Sequence, residues 1–373
     1  MNQDIIFEIL KNVDVHNIYN CALVNKEFNM ITNLNILWKY HLLLSISEET
    51  IKEIWINNYK ETYARYFFLN SLKYIENNYE FDKMSISELF DIDPLELNNG
   101  KYYKVPKNLQ TMTRLQALDL QQNDFNDIPD EVFGLTDLQY LPLTNNKLAT
   151  ISHKIKHLIN LDELYLINNE LISLPKEIEC LQNLTRIYLD NNKLIELPNE
   201  IGNLENLDKI YLSNNQLTTL PIGFGNFKKL TKADISHNKI KILPPEIGNI
   251  KTLETLNLSY NELKELPLEL GNISNLYKLN VTNNMLKTIP SSLGNLKLTI
   301  LNLADNQITK LPDEICNITT LANLFLENNK LNELPINCEK FTNLTVVNLN
   351  DNPVYETIRY LIQYQLNNIY DDD

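Results

Sequence analysis

The chain has 373 residues, with 33 Lys and Arg against 48 Asp and Glu, a formal net charge of −15 and a pI of about 4.9. That balance, with no Lys/Arg-rich run, argues against non-specific binding to nucleic acid or to an anionic membrane surface. No stretch is apolar over the length of a membrane span, and the opening MNQDIIFEILKNV carries Asp4 and Glu8 without a basic leader, so neither membrane insertion nor a secretory signal is expected.

Residues 1–45 differ in pattern from everything after them. Ile5, Ile6, Ile9, Leu10 and Val13 share one face of a predicted short helix, and Asp14, Val15, His16 and Asn17 break it. A second helix is predicted over Ile18, Cys21, Ala22, Leu23 and Val24, followed by Phe28, Ile31, Leu34, Leu37 and Trp38. A plain helical cap on a repeat array would account for the apolar faces. The order DIIFEIL, a break, NIYNCALVNKEFNMI and then ILWK resembles the F-box family more particularly. Ile5, Ile6, Ile9 and Leu10 match that family's first helix, Val24, Lys26 and Phe28 its second, and Leu37 and Trp38 its closing pair. Met1, Asn2 and Gln3 stand where the family usually has a Leu-Pro, and Asn25 and Phe28 where it usually has Ser and Trp. The resemblance implies an all-α region whose residues Ile5, Ile6, Ile9, Leu10, Val24, Phe28, Leu37 and Trp38 bind a Skp-family adaptor, and through it a cullin ligase.

Residues 46–91 read as a helical linker or N-terminal cap. Tyr63, Phe67, Phe68 and Tyr74 recur there at helical spacing and are expected to be core rather than a ligand site.

From residue 92 to residue 352 one pattern repeats, LxxLxLxxNxLxxLP followed by xxIGNL; the segment LTRIYLDNNKLIELP at 184–198 is a clear copy. Its Asn falls at Asn123 and every 23 residues to Asn284, then after a 22-residue step at Asn306, Asn329 and Asn352. Eleven copies at a fixed period describe a solenoid, and the period and pattern resemble the leucine-rich repeat family. An α/β leucine-rich repeat solenoid follows, with a curved parallel sheet lining its concave face. In each copy the alternation seen in Ile187, Tyr188 and Leu189 is a strand with one buried face. Leu194, Leu197, Ile201 and Leu204 fill the core from the convex side after Pro198 redirects the chain. The Asn ends the strand at a bend, where its amide can both donate to and accept from backbone groups that have lost water.

Three irregularities stand out. Ile92, Leu95, Leu97, Gly100, Val105 and Pro106 form a degenerate first turn, in which Gly100 replaces the Asn. Pro142 lies inside a strand and cannot donate to the ladder, so a distortion is expected there, while Ser152 replaces the usual Pro. The short step near Leu298 has lost one convex residue. After Pro353, the residues Val354, Ile358, Leu361, Ile362, Leu366 and Ile369 predict an amphipathic helix covering the last turn, ahead of the acidic tail Asp371, Asp372 and Asp373.

The outward strand positions vary between copies and so carry the functional signal. Between the buried strand residues come Asp119, Pro142, Tyr165, Tyr188, Tyr211, Asp234, Asn257, Asn280, Asn302, Phe325 and Asn348, with Tyr140 near the tyrosines; two residues earlier come Glu163, Arg186, Lys209, Lys232 and Lys278. An aromatic strip flanked by mostly basic side chains is expected on an acidic protein. Tyr140, Glu163, Tyr165, Arg186, Tyr188, Lys209, Tyr211 and Lys232 are therefore the candidate target-binding residues. Recent duplication of one copy would also account for the three tyrosines.

Signals for catalysis are weak. His153 and His157 have HxxxH spacing without an adjacent Glu or a third ligand, and the recurrent Gly-Asn pairs belong to the repeat rather than to a phosphate loop. Cys21, Cys180, Cys316 and Cys338 form no CxxC pair, which fits reduced thiols in the cytoplasm or nucleus. No catalytic residue, metal or cofactor is expected. The expected function is that of a ligase substrate receptor, monomeric within its complex and binding an unidentified protein; a stand-alone leucine-rich interaction scaffold is the alternative.

Overall fold

The computed structural model describes residues 95–355 apart from 99, 101, 103, 106–108, 113 and 337–339. The F-box-like region, the linker at 46–91, Ile92, Pro106 and the stretch from Ile358 onward lie outside the described residues.

Each copy of the repeat contributes one short strand. These are β1 (Leu95–Glu96), β2 (Leu118–Asp119), β3 (Tyr140–Pro142), β4 (Glu163–Tyr165), β5 (Arg186–Tyr188) and β6 (Lys209–Tyr211). They continue as β7 (Lys232–Asp234), β8 (Thr255–Asn257), β9 (Lys278–Asn280), β10 (Ile300–Asn302), β11 (Asn323–Phe325) and β12 (Val346–Asn348). Neighbours in sequence pair in parallel and in register, so that Ile187 lies opposite Ile210 and Tyr188 opposite Tyr211. Strands β3 to β12 form one ten-stranded sheet, and β1 with β2 a separate pair. The seam falls at Pro142, which has no N–H to return to β2. Tyr140 still donates to the Gln116 carbonyl at 3.0 Å and Leu120 to the Pro142 carbonyl at 2.9 Å, so the two sheets remain contiguous.

The inward residues build the core. Leu184, Ile187, Leu189, Leu194, Leu197, Ile201 and Leu204 of one copy are all buried. At about 1.5–3 kcal/mol for each side chain removed from water, this packing outweighs any single polar contact in the repeat. On the convex side each copy makes one 3-10 turn, such as Asn199–Asn203, entered through Pro198 at φ −66°. Ser152 performs the same entry differently: its hydroxyl accepts the N–H of Lys154 at 3.3 Å. Successive turns approach closely where glycine recurs. A Cβ on Gly248 would sit 2.2 Å from the Glu269 carbonyl oxygen, and one on Gly202 would sit 1.7 Å from that of Gly223.

The Asn ladder ties copies together through backbone, not through Asn-to-Asn contact. Asn192 Nδ2 donates to the Leu166 carbonyl of the preceding copy at 2.8 Å and to its own Leu189 carbonyl at 3.1 Å. Its Oδ1 accepts the N–H of Leu171, again from the preceding copy, at 3.0 Å. The same three bonds recur at Asn215. The residue just before each Asn adopts positive φ, between 53° and 58°, and is Asn or Asp in eight of eleven copies; Gln122, His237 and Tyr260 are the exceptions. Short polar side chains tolerate this left-handed conformation best, which accounts for the recurrent Asn-Asn pairs.

The degenerate first turn still joins the ladder, since the N–H groups of Gly100 and Tyr102 donate to Asn123 Oδ1 at 3.1 and 3.0 Å. The missing residue near Leu298 is absorbed by Leu296, extended at ψ 161° where Leu204 has 84° and Ile273 has 80°. Register survives: Ile300 pairs with Lys278, and Asn306 bonds to the Val281 carbonyl and the Leu286 N–H at 3.0 Å each. At the far end Val347 holds the core position that Leu324 fills at 4% exposure, yet is 47% exposed, because no later copy packs on it among the described residues. Residues 353–355 begin a helical turn.

Candidate functional site

The eight residues expected on the concave face lie together on five adjacent strands, β3 to β7. Parallel in-register pairing places Tyr165, Tyr188 and Tyr211 side by side. Tyr165 and Tyr188 stack with ring centroids 4.4 Å apart at 9°, and Tyr188 and Tyr211 at 4.8 Å and 4°. Tyr140, 40% exposed, meets Tyr165 edge-on at 5.2 Å and 66°. At the other end the Lys232 ammonium lies 4.9 Å from the centroid of the Tyr211 ring, within cation–π range.

Glu163 anchors the strip. Its side chain is only 14% exposed; one carboxylate oxygen accepts from the Tyr165 hydroxyl and the other from the Arg186 guanidinium, which is 40% exposed. Glu163 therefore fixes its neighbours instead of facing outward. Burial, reinforced by the hydrogen bond to Glu163, raises the Tyr165 phenol well above its usual value, and burial also raises Tyr140 and Tyr188, so all three stay protonated at neutral pH. The same carboxylate raises the Arg186 guanidinium. The result is a pre-organised row of rings with one guanidinium locked beside it.

The tyrosines displace a local device that sequence reading missed. In six copies the corresponding residue is Asp or Asn, and its side chain accepts the N–H two residues on, an Asx turn that closes the strand. Asn257 does this for Ser259 at 3.2 Å, Asn280 for Thr282 at 3.1 Å and Asp234 for Ser236 at 3.1 Å; Asp119, Asn302 and Asn348 repeat it. A tyrosine cannot make that bond. After Tyr211, the N–H of Ser213 is taken instead by Asp190 of the preceding copy at 2.9 Å, and burial raises the Asp190 carboxyl above its ordinary value. The Asx signal was present in the sequence as alternating Asn and Ser or Thr, but such residues look identical to unassigned surface polars.

Outside the strip the described residues supply little chemistry. His153 and His157 are exposed on a 3-10 turn, and among the described residues no three His, Cys, Asp or Glu side chains could share a metal ion. None of the described helices is long and apolar enough to cross a membrane. Cys180 is a free thiol. Ile5, Ile6, Ile9, Leu10, Val24, Phe28, Leu37 and Trp38 lie outside the described residues.

Fold and face together define a repeat solenoid built for protein interaction. The F-box domain model matches residues 1–40, and leucine-rich repeat models match residues 113–171, 182–240, 252–273, 275–296 and 297–318. Among solved structures, a leucine-rich repeat protein of Leptospira interrogans is 35% identical with a TM-score of 0.57, covering 70% of this chain and 73% of that one. A plant peptide hormone receptor, solved in complex with RGF2, is 32% identical with a TM-score of 0.59; the match covers 67% of this chain but only 42% of the receptor. An internalin of Listeria monocytogenes, 22% identical over 78% of this chain and 89% of its own with a TM-score of 0.55, shares the fold. A search of curated proteins finds no match. The chain belongs to the leucine-rich repeat proteins and joins an F-box to its repeats.

Proposed function

We propose that this chain is the substrate-recognition subunit of a Skp–cullin–F-box type ubiquitin ligase, working in the cytoplasm. The observation that carries the reading is the union of an F-box at residues 1–40 with a repeat array whose sheet face bears a pre-organised aromatic strip. Residues 1–40 dock on the adaptor through Ile5, Ile6, Ile9, Leu10, Val24, Phe28, Leu37 and Trp38, and the sheet face holds a protein target. Other subunits transfer ubiquitin, so this chain contributes by holding two reactants near each other.

The loss of the Asx turn supports the strip as a binding surface. Three successive copies forgo a strand-closing hydrogen bond for a half-exposed ring, where six other copies keep Asp or Asn. Tyr and Arg give large contact area with polar reach, the composition of interface hot spots.

The test is capture of a Skp-family adaptor by the full chain and by Ile9→Asp/Leu10→Asp. Recovery by the wild type and loss in the variant are expected. A wild type that recovers no adaptor overturns the ligase reading in favour of a scaffold. Tyr188→Ala/Tyr211→Ala should separately weaken capture of the ligase's target about tenfold or more, each ring being worth roughly 1 kcal/mol or above at a hot spot.

A further inference from the structure

The carboxylates and the cations beside the strip differ in how firmly the protein holds them. Every carboxylate beside it already accepts from the protein: Glu163 from Tyr165 and Arg186, Asp162 from Thr185 at 2.6 Å, and Asp190 from Ser213. Asp208 accepts from Thr231, and Asp234 from Ser236 and Asn257. The cations differ. Lys232 rests over a ring, Lys209 comes no closer than 3.9 Å to Asp208, and Arg186 spends one nitrogen on Glu163 while 40% exposed.

The rings reinforce this bias. Both faces of Tyr188 are covered, by Tyr165 and by Tyr211, so it offers a partner its edge and its hydroxyl. An aromatic edge carries the positive end of the ring quadrupole. A partner meets a row of ring edges and hydroxyls with three partly exposed cations beside it, set in a chain of net charge −15.

We propose that the face from Tyr140 to Lys232 docks an extended, acidic polypeptide segment whose side-chain carboxylates are taken by Arg186, Lys209 and Lys232. This rests on the reading of the sheet face as the target-binding surface. The three cations stand in register on β5, β6 and β7. At about 4.8 Å between strands they span about 10 Å, the length of about three residues of extended chain. The net charge of −15 works against acidic segments in general, so the three cations in register are what would select one.

The experiment measures fluorescence anisotropy of labelled peptides with the full chain: six Glu-Ala repeats, the Gln-Ala counterpart, and a phosphoserine-Ala counterpart. Saturable binding of the Glu-Ala peptide is expected, at least tenfold tighter than Gln-Ala and weakening as salt is raised from 0.05 to 0.5 M. Lys209→Ser/Lys232→Ser should lower that affinity at least tenfold with an unchanged melting curve, because both side chains are half-exposed and Asp208 keeps its bond to Thr231. Arg186 is left in place so that Glu163 is not stranded. Equal binding of Glu-Ala and Gln-Ala, no binding of Glu-Ala, or an unaffected double variant overturns the proposal. A phosphoserine peptide more than tenfold tighter than Glu-Ala also overturns it, naming phosphate as the occupant. Adaptor capture is scored on the same preparation: its failure with the Glu-Ala preference intact overturns only the ligase reading.

Discussion

Replacing Asn192 with Ala tests how copies are joined. The side chain makes three good hydrogen bonds: to the carbonyls of Leu166 and Leu189, and from the N–H of Leu171. These losses are unequal. The Leu166 carbonyl keeps a second donor in Asn169 at 3.2 Å, and the Leu189 carbonyl keeps Asn215 at 2.9 Å. The buried Leu171 N–H loses its acceptor outright. An orphaned buried donor costs about 1–3 kcal/mol, and two carbonyls reduced to one donor add about 1 kcal/mol, so a loss of about 2–4 kcal/mol is expected. A urea melt followed by circular dichroism should show the lower midpoint, and amide exchange at Leu171 should accelerate before that of distant copies. An unchanged midpoint would refute this account of the ladder.

The isosteric Asn192→Asp sharpens the test. Asp keeps the acceptor for Leu171 but turns an oxygen toward two carbonyls, which favours the protonated acid and raises its folded pKa above the unfolded value of about 3.9. The native state then binds more protons than the unfolded chain, so the variant should approach wild type near pH 3.5 and lose stability as pH rises above about 4.

Two further outcomes follow from the same geometry. Gly248→Ala places a methyl 2.2 Å from the Glu269 carbonyl oxygen and should cost about 1–3 kcal/mol by thermal melt, whereas Ala at the exposed Asn249 should be nearly neutral. Asp190→Asn keeps an acceptor for Ser213 without a charge; because burial raises the native Asp190 carboxyl, its ionisation costs wild-type stability as pH rises, so the variant should gain on wild type between pH 3.5 and pH 7 in paired urea midpoints. A gap that is constant with pH would contradict the assignment.

The core was legible because its signal is periodic and redundant. Leu184, Ile187, Leu189 and Asn192 recur in every copy, so their burial and the strand's parallel register follow from spacing alone. The seam at Pro142 was legible too, since a missing N–H is a covalent fact. Less was visible where partners lie one copy apart. Asn192 was legible as the ladder residue because it recurs in every copy, but nothing marked Asn191 as left-handed, since Gln122, His237 and Tyr260 hold the same position in other copies. Glu163 read as an outward charge like Arg186 and Lys209; only packing across β4 and β5 shows it turned toward Tyr165. The strip itself was found from sequence because register lines up residues 23 apart, while the Asx turns it displaces were not.

The ladder also has a direction. Every Asn reaches back to the copy before it, and every copy presents a carbonyl and an N–H for the Asn that follows. Each unit is thus both plug and socket, and a whole unit spliced in or out at any point leaves both kinds of joint intact. In the first described turn Gly100 holds the ladder position; it has no side chain to reach back, and its N–H donates to Asn123. The array can lengthen or shorten without inventing an interface, and the sheet-face residues can drift independently of the joint that carries them.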